Sequence, residues 1–351
     1  MADVTLVSVA GLHQFFDQVL APHHFFPDVA TALKEHLIQA NLWGIDSHGL
    51  QQIIGYDKSL NSGRINPQPK LTIQCDRPTL IRIEADRSPG QYAAKIAMEQ
   101  AITQAQQFGI AAIGVTNSNH FGMAGYYTRM AAAAGMIGFA TSDTNVVDLA
   151  PYGGKVARLG NNPLSWAVPC GDRTIVLDMA AGVVSGGKIK HFAYQGLPIP
   201  MGWGLTAAGE ITADPQQAVV NLPESYKGAG LALIADLLCG PLLGTTTAMF
   251  KTKGIHDVNN GTGHFFWVLD VAAFTDRSTF EREVQQAILA LHETPRLNPN
   301  QPIYYPGELE ELTQAQRSHS GIPIPSTLLE TLRQHFGAEV VALIDSDKTI
   351  T

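Results

Sequence analysis

Two short segments carry residue types suited to moving protons. Asp46-Ser47-His48-Gly49 sets an imidazole beside a hydroxyl and near a carboxylate, at the end of a helical pattern and just before a glycine. An imidazole flanked in this way can be oriented for proton transfer near neutral pH. Asn117-Ser118-Asn119-His120-Phe121-Gly122 puts a second histidine in a polar cluster beyond a strand-like run, where α/β proteins tend to place ligands. The chain has 12 histidines, and most histidines in a protein are surface groups or hydrogen-bonded structural ones, so neither segment alone defines a site. Together they raise the odds of acid/base chemistry.

Nucleotide chemistry would need a phosphate cradle. No G-x-G-x-x-G follows a strand: Gly228-Ala229-Gly230 runs on into Leu231-Ala232-Leu233, and Gly202-Trp203-Gly204 has no glycine three places later. The Rossmann fingerprint is missing. Gly182-Val183-Val184-Ser185-Gly186-Gly187-Lys188 fits G-x-x-x-x-G-K, but Ile189 stands where a phosphate loop needs a Ser or Thr hydroxyl for Mg²⁺. A glycine-rich helix entry explains the same residues without a nucleotide.

The elements that must hold these segments follow from composition and periodicity. With 351 residues, 45% hydrophobic and 15% charged, and 33 glycines, the chain reads as a packed, turn-rich protein of enzyme-like composition and not a disordered one. A net charge of -8 without any Lys/Arg run argues against a nucleic-acid partner. Cys75, Cys170 and Cys239 have neither disulfide-framework nor zinc-site spacing, which suits a reducing cytoplasm. The longest apolar stretches, 131–141 and 231–243, are interrupted by glycines or by Asp236 and Pro241, and the N-terminus lacks the basic stretch of a secretory signal. No membrane segment is expected.

Helices are predicted over 8–20 and 28–40, the second with Val29, Leu33 and Leu37 on one face. A turn-rich stretch at 61–69 sets a lobe boundary near residue 70. Beyond it the pattern gives a helix over 91–108 capped by Gly109, a strand over 110–115, a helix over 125–134 and a strand over 137–141. Strands over 164–168 and 175–177 precede a Gly/Pro-rich loop at 194–215, a candidate lid or substrate contact, and then a helix over 228–239 and a strand over 265–271. Ser278-Thr279-Phe280-Glu281 reads as a capping box opening a helix with Phe280, Val284, Ile288 and Leu291 on one face. A last helix over 325–336 ends at Gly337. The fold class is α/β, with a helical N-terminal lobe over 1–70, expected to pack with 310–351, and a mixed α/β region over 71–309.

Six ordered segments carry a resemblance. Gly44-Ile45-Asp46-Ser47-His48-Gly49, Ser118-Asn119-His120-Phe121-Gly122, Gly160-Asn161-Asn162-Pro163-Leu164, Leu177-Asp178-Met179-Ala180, Tyr226-Lys227-Gly228 and Tyr305-Pro306-Gly307-Glu308 resemble the malate/L-lactate dehydrogenase-like family. That family includes ureidoglycolate dehydrogenase, sulfolactate dehydrogenase, diketogulonate reductase and cyclic-imine carboxylate reductases, and the resemblance covers nearly the whole chain. It implies a non-Rossmann NAD(P)-binding fold, with a mixed, largely antiparallel sheet flanked by helices, so the missing fingerprint becomes expected. It also implies a homodimer with the site near the subunit interface. The implied reaction is hydride transfer between NAD or NADP and a small 2-hydroxy or 2-oxo acid or related sugar acid, or alternatively reduction of an imine beside a carboxylate.

By family position, His48 and His120 do the acid/base work, with Ser47 and Tyr56 as nearby hydroxyl donors. Gln52, Tyr56 and Asn162 fall at substrate positions. Thr144, Asp178, Met179, Ala180, Lys227, Gly228, Pro306, Gly307 and Glu308 fall at or near cofactor contacts, and no residue is assigned to a metal. Three places depart from the family pattern: Gln52 stands where relatives usually carry Arg, the segment 141–151 is one residue longer, and Leu205-Thr206 replaces an Asp after the Trp motif. Two other classes remain open: a phosphate-loop nucleotide hydrolase, opposed by Ile189, and a catalytically silent metabolite-binding dimer, opposed by His48 and His120.

Overall fold

The computed structural model describes residues 4–144, 146–251 and 261–345. The chain begins with β1 (Val4–Val7), α1 (Val9–Leu20), α2 (Pro27–Leu42), two 3-10 turns (Asp46–His48 and Leu50–Gln52) and α3 (Ile53–Asn61). Then come β2 (Thr72–Arg77), β3 (Leu80–Glu84), α4 (Gly90–Phe108), β4 (Ile110–Ser118), α5 (Ala124–Ala133), β5 (Met136–Ser142), β6 (Leu164–Cys170) and β7 (Arg173–Met179). Helix α6 (Gly186–Tyr194), the short strands β8 (Gly204–Leu205), β9 (Ile211–Thr212) and β10 (Val220–Asn221), and α7 (Tyr226–Cys239) follow. The chain closes with β11 (Thr262–Asp270), α8 (Arg277–His292), α9 (Glu308–Ser320), β12 (Ile322–Pro325), α10 (Ser326–Phe336) and α11 (Ala338–Asp345).

Local chemistry sets the helix starts. The Ser8 hydroxyl accepts the Gly11 N–H, and Leu12, Phe15, Phe16 and Val19 then wind onto one buried face of α1. That face joins a core built from both ends of the chain: Leu33 and Leu37 of α2, Ile53 of α3, Ile322 and Ile324 of β12, and Leu328 and Leu332 of α10. Strands β1 and β12 pair antiparallel and stitch the two ends together.

A second core surrounds a seven-stranded sheet in the order β2-β3-β4-β11-β5-β6-β7. Only β3 and β4 run parallel; the other neighbours are antiparallel. Ile83, Ile113, Val115 and Phe266 turn one face toward α4 and α5. Gly114 belongs to the opposite face, where a Cβ would lie 2.1 Å from Leu243, and α7 packs there. Among the described residues, Tyr226–Leu243 is long and apolar enough to be compared with a membrane span, and it is a core helix and its following turn, with Asp236 buried in its middle.

Several sequence expectations shift in detail. The helix expected to open on a Ser278 capping box starts earlier as α8: Asp276 is the N-cap, accepting the Thr279 N–H at 2.9 Å and the Ser278 hydroxyl at 2.6 Å. A carboxylate outcompetes a hydroxyl there because it also neutralises the positive helix end. Leu291, placed on the inward face, remains exposed. The strand expected over 110–115 continues to Ser118. The loop at 194–215 contains β8 and β9, which with β10 form a small sheet ordered β10-β8-β9.

Under the ends of β4, β5 and β11, His264 is fully buried. Its Nδ1 pairs with Ser142 Oγ at 2.8 Å, its Nε2 with Ser118 Oγ at 2.9 Å, and its ring stacks on Phe121 at 4.7 Å. Burial, with smaller contributions from His120 and Lys251, pushes its pKa from 6.5 down to about 3. As pH falls from about 6.5 the unfolded chain takes up a proton here that the folded chain refuses, so stability present above that pH is lost on acidification. Burial raises Asp143, Asp148 and Asp178 to about 6, so these act with the opposite sign between about pH 6 and 4. Comparing a His264→Asn variant with the parent isolates the histidine: its urea midpoint should fall less steeply between pH 7 and about 4.5. Parallel curves would remove His264 as a source of acid sensitivity.

Candidate active site

The turn that carries His48 is built by Asn41, near the end of α2. Its Oδ1 accepts the Leu50 N–H at 2.8 Å and its Nδ2 donates to Asp46 Oδ1 at 2.8 Å. A Cβ on Gly49 would sit 2.2 Å from Asn41 Oδ1, so only glycine allows this approach. Arg317, from α9, donates to Asp46 Oδ1 at 2.7 Å and Oδ2 at 3.0 Å, and to the Asn41 carbonyl at 2.6 Å. The carboxylate near His48 in sequence is thus engaged by Arg317 and Asn41. Ser47 is the residue that meets the imidazole, its Oγ 2.9 Å from His48 Nδ1.

His120 arrives from the sheet side. Asn117, at φ 53, takes the left-handed conformation at the end of β4, and Asn119 Nδ2 fastens the next stretch to the carbonyls of Arg87 and Ser88 at 2.8 and 3.0 Å. Gly90 opens α4 against this stretch, where a Cβ would strike the Asn119 carbonyl at 2.2 Å. Tyr56 of α3 reaches across from the first core with its hydroxyl 2.7 Å from His120 Nδ1. The His48 and His120 rings lie 5.6 Å apart at an interplanar angle of 24°.

Both rings open on a cavity of about 1040 Å³. Burial, with His120 as a second cause, pushes His48 down to about 3, and burial alone pushes His120 down to about 4. Enclosure removes the water that would solvate the cation, so both imidazoles are neutral at pH 7. Asp178 on β7 also faces this space. Its Oδ2 accepts the Gly125 N–H at 2.7 Å, and loss of hydration raises it to about 6.

The structure brings most of the predicted residues to one place. Ser47, His48, Gln52, His120, Thr144, Asp178, Met179, Ala180, Pro306 and Gly307 all line the cavity. Gln52 turns its Nε2 back onto the Ser47 carbonyl at 2.6 Å. The Val176 N–H donates to the Pro306 carbonyl at 2.8 Å, tying the Pro306-Gly307 turn to β7. Tyr56 stands behind His120.

Four further predicted residues sit off the wall. Asn162 is fully buried, accepting the Thr144 N–H at 3.0 Å and donating to the Ala232 carbonyl at 2.7 Å. Gly228 lets α7 press on Ala181, whose carbonyl a Cβ would meet at 2.4 Å. Lys227 is exposed in the first turn of α7. Glu308 Oε2 accepts the Tyr305 N–H at 3.0 Å and pairs with His292 at 2.9 Å.

Other wall residues escaped the sequence reading. Gly186, Gly187 and Lys188 begin α6, capped by Ser185 accepting the Lys188 N–H, and line the cavity beside Ser47. The signal was the glycine pair in a pattern resembling a phosphate loop. Arg129 also lines it, held over the Trp43 ring at 4.8 Å and bonded to the Gly307 carbonyl at 3.3 Å. Its partners come from distant segments, so nothing local marked it.

The space suits a dinucleotide and a small acid together, since it reaches the top of the roughly 300–1,000 Å³ range of ligand pockets. The capped start of α6 offers backbone N–H groups to phosphate, and Asp178 offers an acceptor to a ribose hydroxyl. Among the described residues no cluster has the makings of a metal site.

Comparisons with known proteins agree with this fold. Residues 7–333 match the family model described as malate/L-lactate dehydrogenase. Malate dehydrogenase from Pyrococcus horikoshii is 33% identical over 334 residues, covering 92% of each chain. Ureidoglycolate dehydrogenase (NAD(+)) from Escherichia coli K12 is 32% identical over 333 residues, covering 93% of this chain and 94% of that protein. The solved structure of malate dehydrogenase from Pyrococcus horikoshii OT3 superposes with a TM-score of 0.86 at 30% identity over 97% of each chain. A sheet with one parallel pair, two neutral histidines on one cavity and a match across nearly the whole length lead to a single conclusion: the chain belongs to the malate/L-lactate dehydrogenase family.

Proposed function

We propose that this protein, an NAD(P)-dependent oxidoreductase of 2-hydroxy acids, carries out its reaction in the cavity between the two cores with His48 and His120 as the acid/base pair. The observation that carries the assignment is the pair of neutral imidazoles, 5.6 Å apart and opening on one cavity. A nicotinamide cofactor held on the wall of this cavity would supply the hydride acceptor for oxidation and the hydride donor for reduction. In oxidation the substrate O–H breaks and its proton passes to an imidazole nitrogen, while the carbon gives up hydrogen with both electrons and C=O forms. Reduction runs the same exchange in reverse.

A neutral imidazole is a poor proton donor, and the substrate itself corrects this. A carboxylate entering beside the pair stabilises an imidazolium and raises its pKa, so substrate binding and proton loading favour each other. Asp178, Met179, Ala180, Thr144 and the Pro306-Gly307 turn form the cofactor wall in this reading. Asn162, Lys227, Gly228 and Glu308 support that wall from behind or at its edge. The cofactor is NAD or NADP.

Gln52 shapes the substrate class. An Arg there could clamp a carboxylate through two charge-assisted hydrogen bonds, whereas the Gln52 amide is neutral and already bonded to Ser47. Simple malate or lactate therefore binds weakly, and a larger or hydroxyl-rich 2-hydroxy acid is preferred.

The partner is a second copy of the chain. Leu233, Ile234 and Leu237 on α7, with Leu242 and Phe250 just beyond, expose large apolar side chains close together in the chain, and exposed apolar area of this kind marks subunit interfaces. Sedimentation velocity should give a dimer that Leu237→Glu pushes toward monomer; a monomeric parent protein defeats this assignment.

Two activity predictions follow from the site. With NADH and NADPH followed separately over a panel of 2-oxo acids and cyclic imines, His48→Ala and His120→Ala should each lower kcat by about a hundred to ten thousand fold and leave dinucleotide binding largely intact. Near-parental turnover in both variants would make the pair structural. Gln52→Arg should raise kcat/KM for oxaloacetate by roughly ten to a hundred fold relative to the best substrate of the panel. An unchanged ratio would show that Gln52 is not a substrate contact.

A further inference from the structure

Behind His120 lies a polar chain that the reaction as described does not use. Gln91, in the first turn of α4, is buried, and its Nε2 donates to the Tyr56 hydroxyl oxygen at 2.7 Å. The Tyr56 hydroxyl lies 2.7 Å from His120 Nδ1. The Gln91 Oε1 is buried and has no hydrogen-bond partner among the described residues, so the amide's interaction within them is the one its N–H makes.

The direction of these bonds has a chemical consequence. An amide N–H can only donate, so the Tyr56 oxygen accepts from Gln91 and its own proton is left for His120 Nδ1. Desolvation raises the Tyr56 pKa, which keeps that proton on the phenol. A neutral imidazole that accepts at Nδ1 carries its hydrogen at Nε2. We propose that Gln91 is a positioning residue that fixes His120, through Tyr56, as the Nε2–H tautomer. This rests on His48 and His120 being the acid/base pair, and it divides their labour.

An imidazole with Nε2–H toward the cavity donates a hydrogen bond to the substrate oxygen and polarises it; it has no lone pair there with which to take a hydroxyl proton. His48 is then the group that moves the proton. Its Nδ1 faces the Ser47 hydroxyl, which can donate or accept and so serves the ring in either protonation state. One histidine is locked by an amide of fixed polarity and the other is left free by a hydroxyl.

The titratable groups facing His120 are Tyr56 on α3, His48 on the opposing turn, His264 on β11 and His36 on α2. Burial keeps all three of those histidines neutral, so none of them imposes a charge that would override the polarity set by Gln91.

The test uses the full-length dimer or monomer as purified, with ¹⁵N-labelled histidine. Nitrogen shifts of His120 should report the Nε2–H tautomer from pH 6 to 8. Gln91→Glu replaces the donor with an acceptor: the Tyr56 proton turns to the carboxylate, His120 switches to Nδ1–H, and kcat drops about ten- to a hundred-fold with dinucleotide affinity unchanged. Tyr56→Phe should give a tautomer mixture. His120 found as Nδ1–H in the parent protein, or a Gln91→Glu variant with unaltered tautomer and kcat, overturns the proposal even if other variants fail to fold. A parent showing Nε2–H together with a fully active His120→Ala variant would instead sink the acid/base reading and leave the positioning chain standing.

Discussion

The site depends on one ion pair, that between Asp46 and Arg317. It joins residues 271 positions apart, and both side chains are largely enclosed, with 18% and 14% exposure. Two parallel N–H···O bonds give the pair directional as well as electrostatic strength. Removing one partner would strand the other charge, so the pair is far more sensitive to truncation than a surface bridge. Its position on α9 gives it reach. Gly307 caps the start of that helix on the cavity wall and Arg317 lies in its last turn, about 15 Å along the axis. The helix is a strut that sets the spacing between the His48 turn and the Pro306-Gly307 wall.

The strut explains how an enclosed site survives with so few fixed charges. Among the described residues, Arg129 and Lys188 are the cations on the cavity wall, and Arg129 is already committed to Trp43, the Gly307 carbonyl and Glu311. Enclosure lowers His48 and His120 and raises Asp178 and Asp148, so every titratable group that shifts does so toward its neutral form. Such a cavity responds to charge brought by a ligand. An anionic acid entering the cavity would stabilise the cationic form of an imidazole beside it.

The parts of this architecture that sequence reveals are those encoded within a few residues. The first helix, the apolar stripe of α2, the Gly109 terminus of α4 and the helical context of the His48 motif are local, and each stands where its pattern places it. Strand β2 is exposed along its whole length, so no alternation announced it, and β8 to β10 are two residues each, too short to carry a period. Asp46 shows the deeper limit. Its neighbours in sequence suggested a role beside His48, yet a guanidinium from the far end of the chain takes its carboxylate. Gln91 is similar: a glutamine in a helix's first turn has no special mark until Tyr56 is folded against it.

These long-range pairings also account for the absence of a Rossmann fingerprint. In a doubly wound sheet the ligand crevice arises at the carboxyl ends of parallel strands, and the glycine loop is dictated by a strand feeding directly into a helix. Here β3 and β4 are the one parallel pair in the large sheet, so no such crevice exists between strand ends. The cavity forms instead where the ends of β4 and β7, the starts of α5 and α6 and the His48 turn converge between two cores. Each core delivers one histidine: Tyr56 reaches across to His120, and the turn that carries His48 is held by Arg317 from α9. Substitutions that leave both cores folded but alter their relative placement would thus separate the histidines, making activity more sensitive than stability to changes along α9.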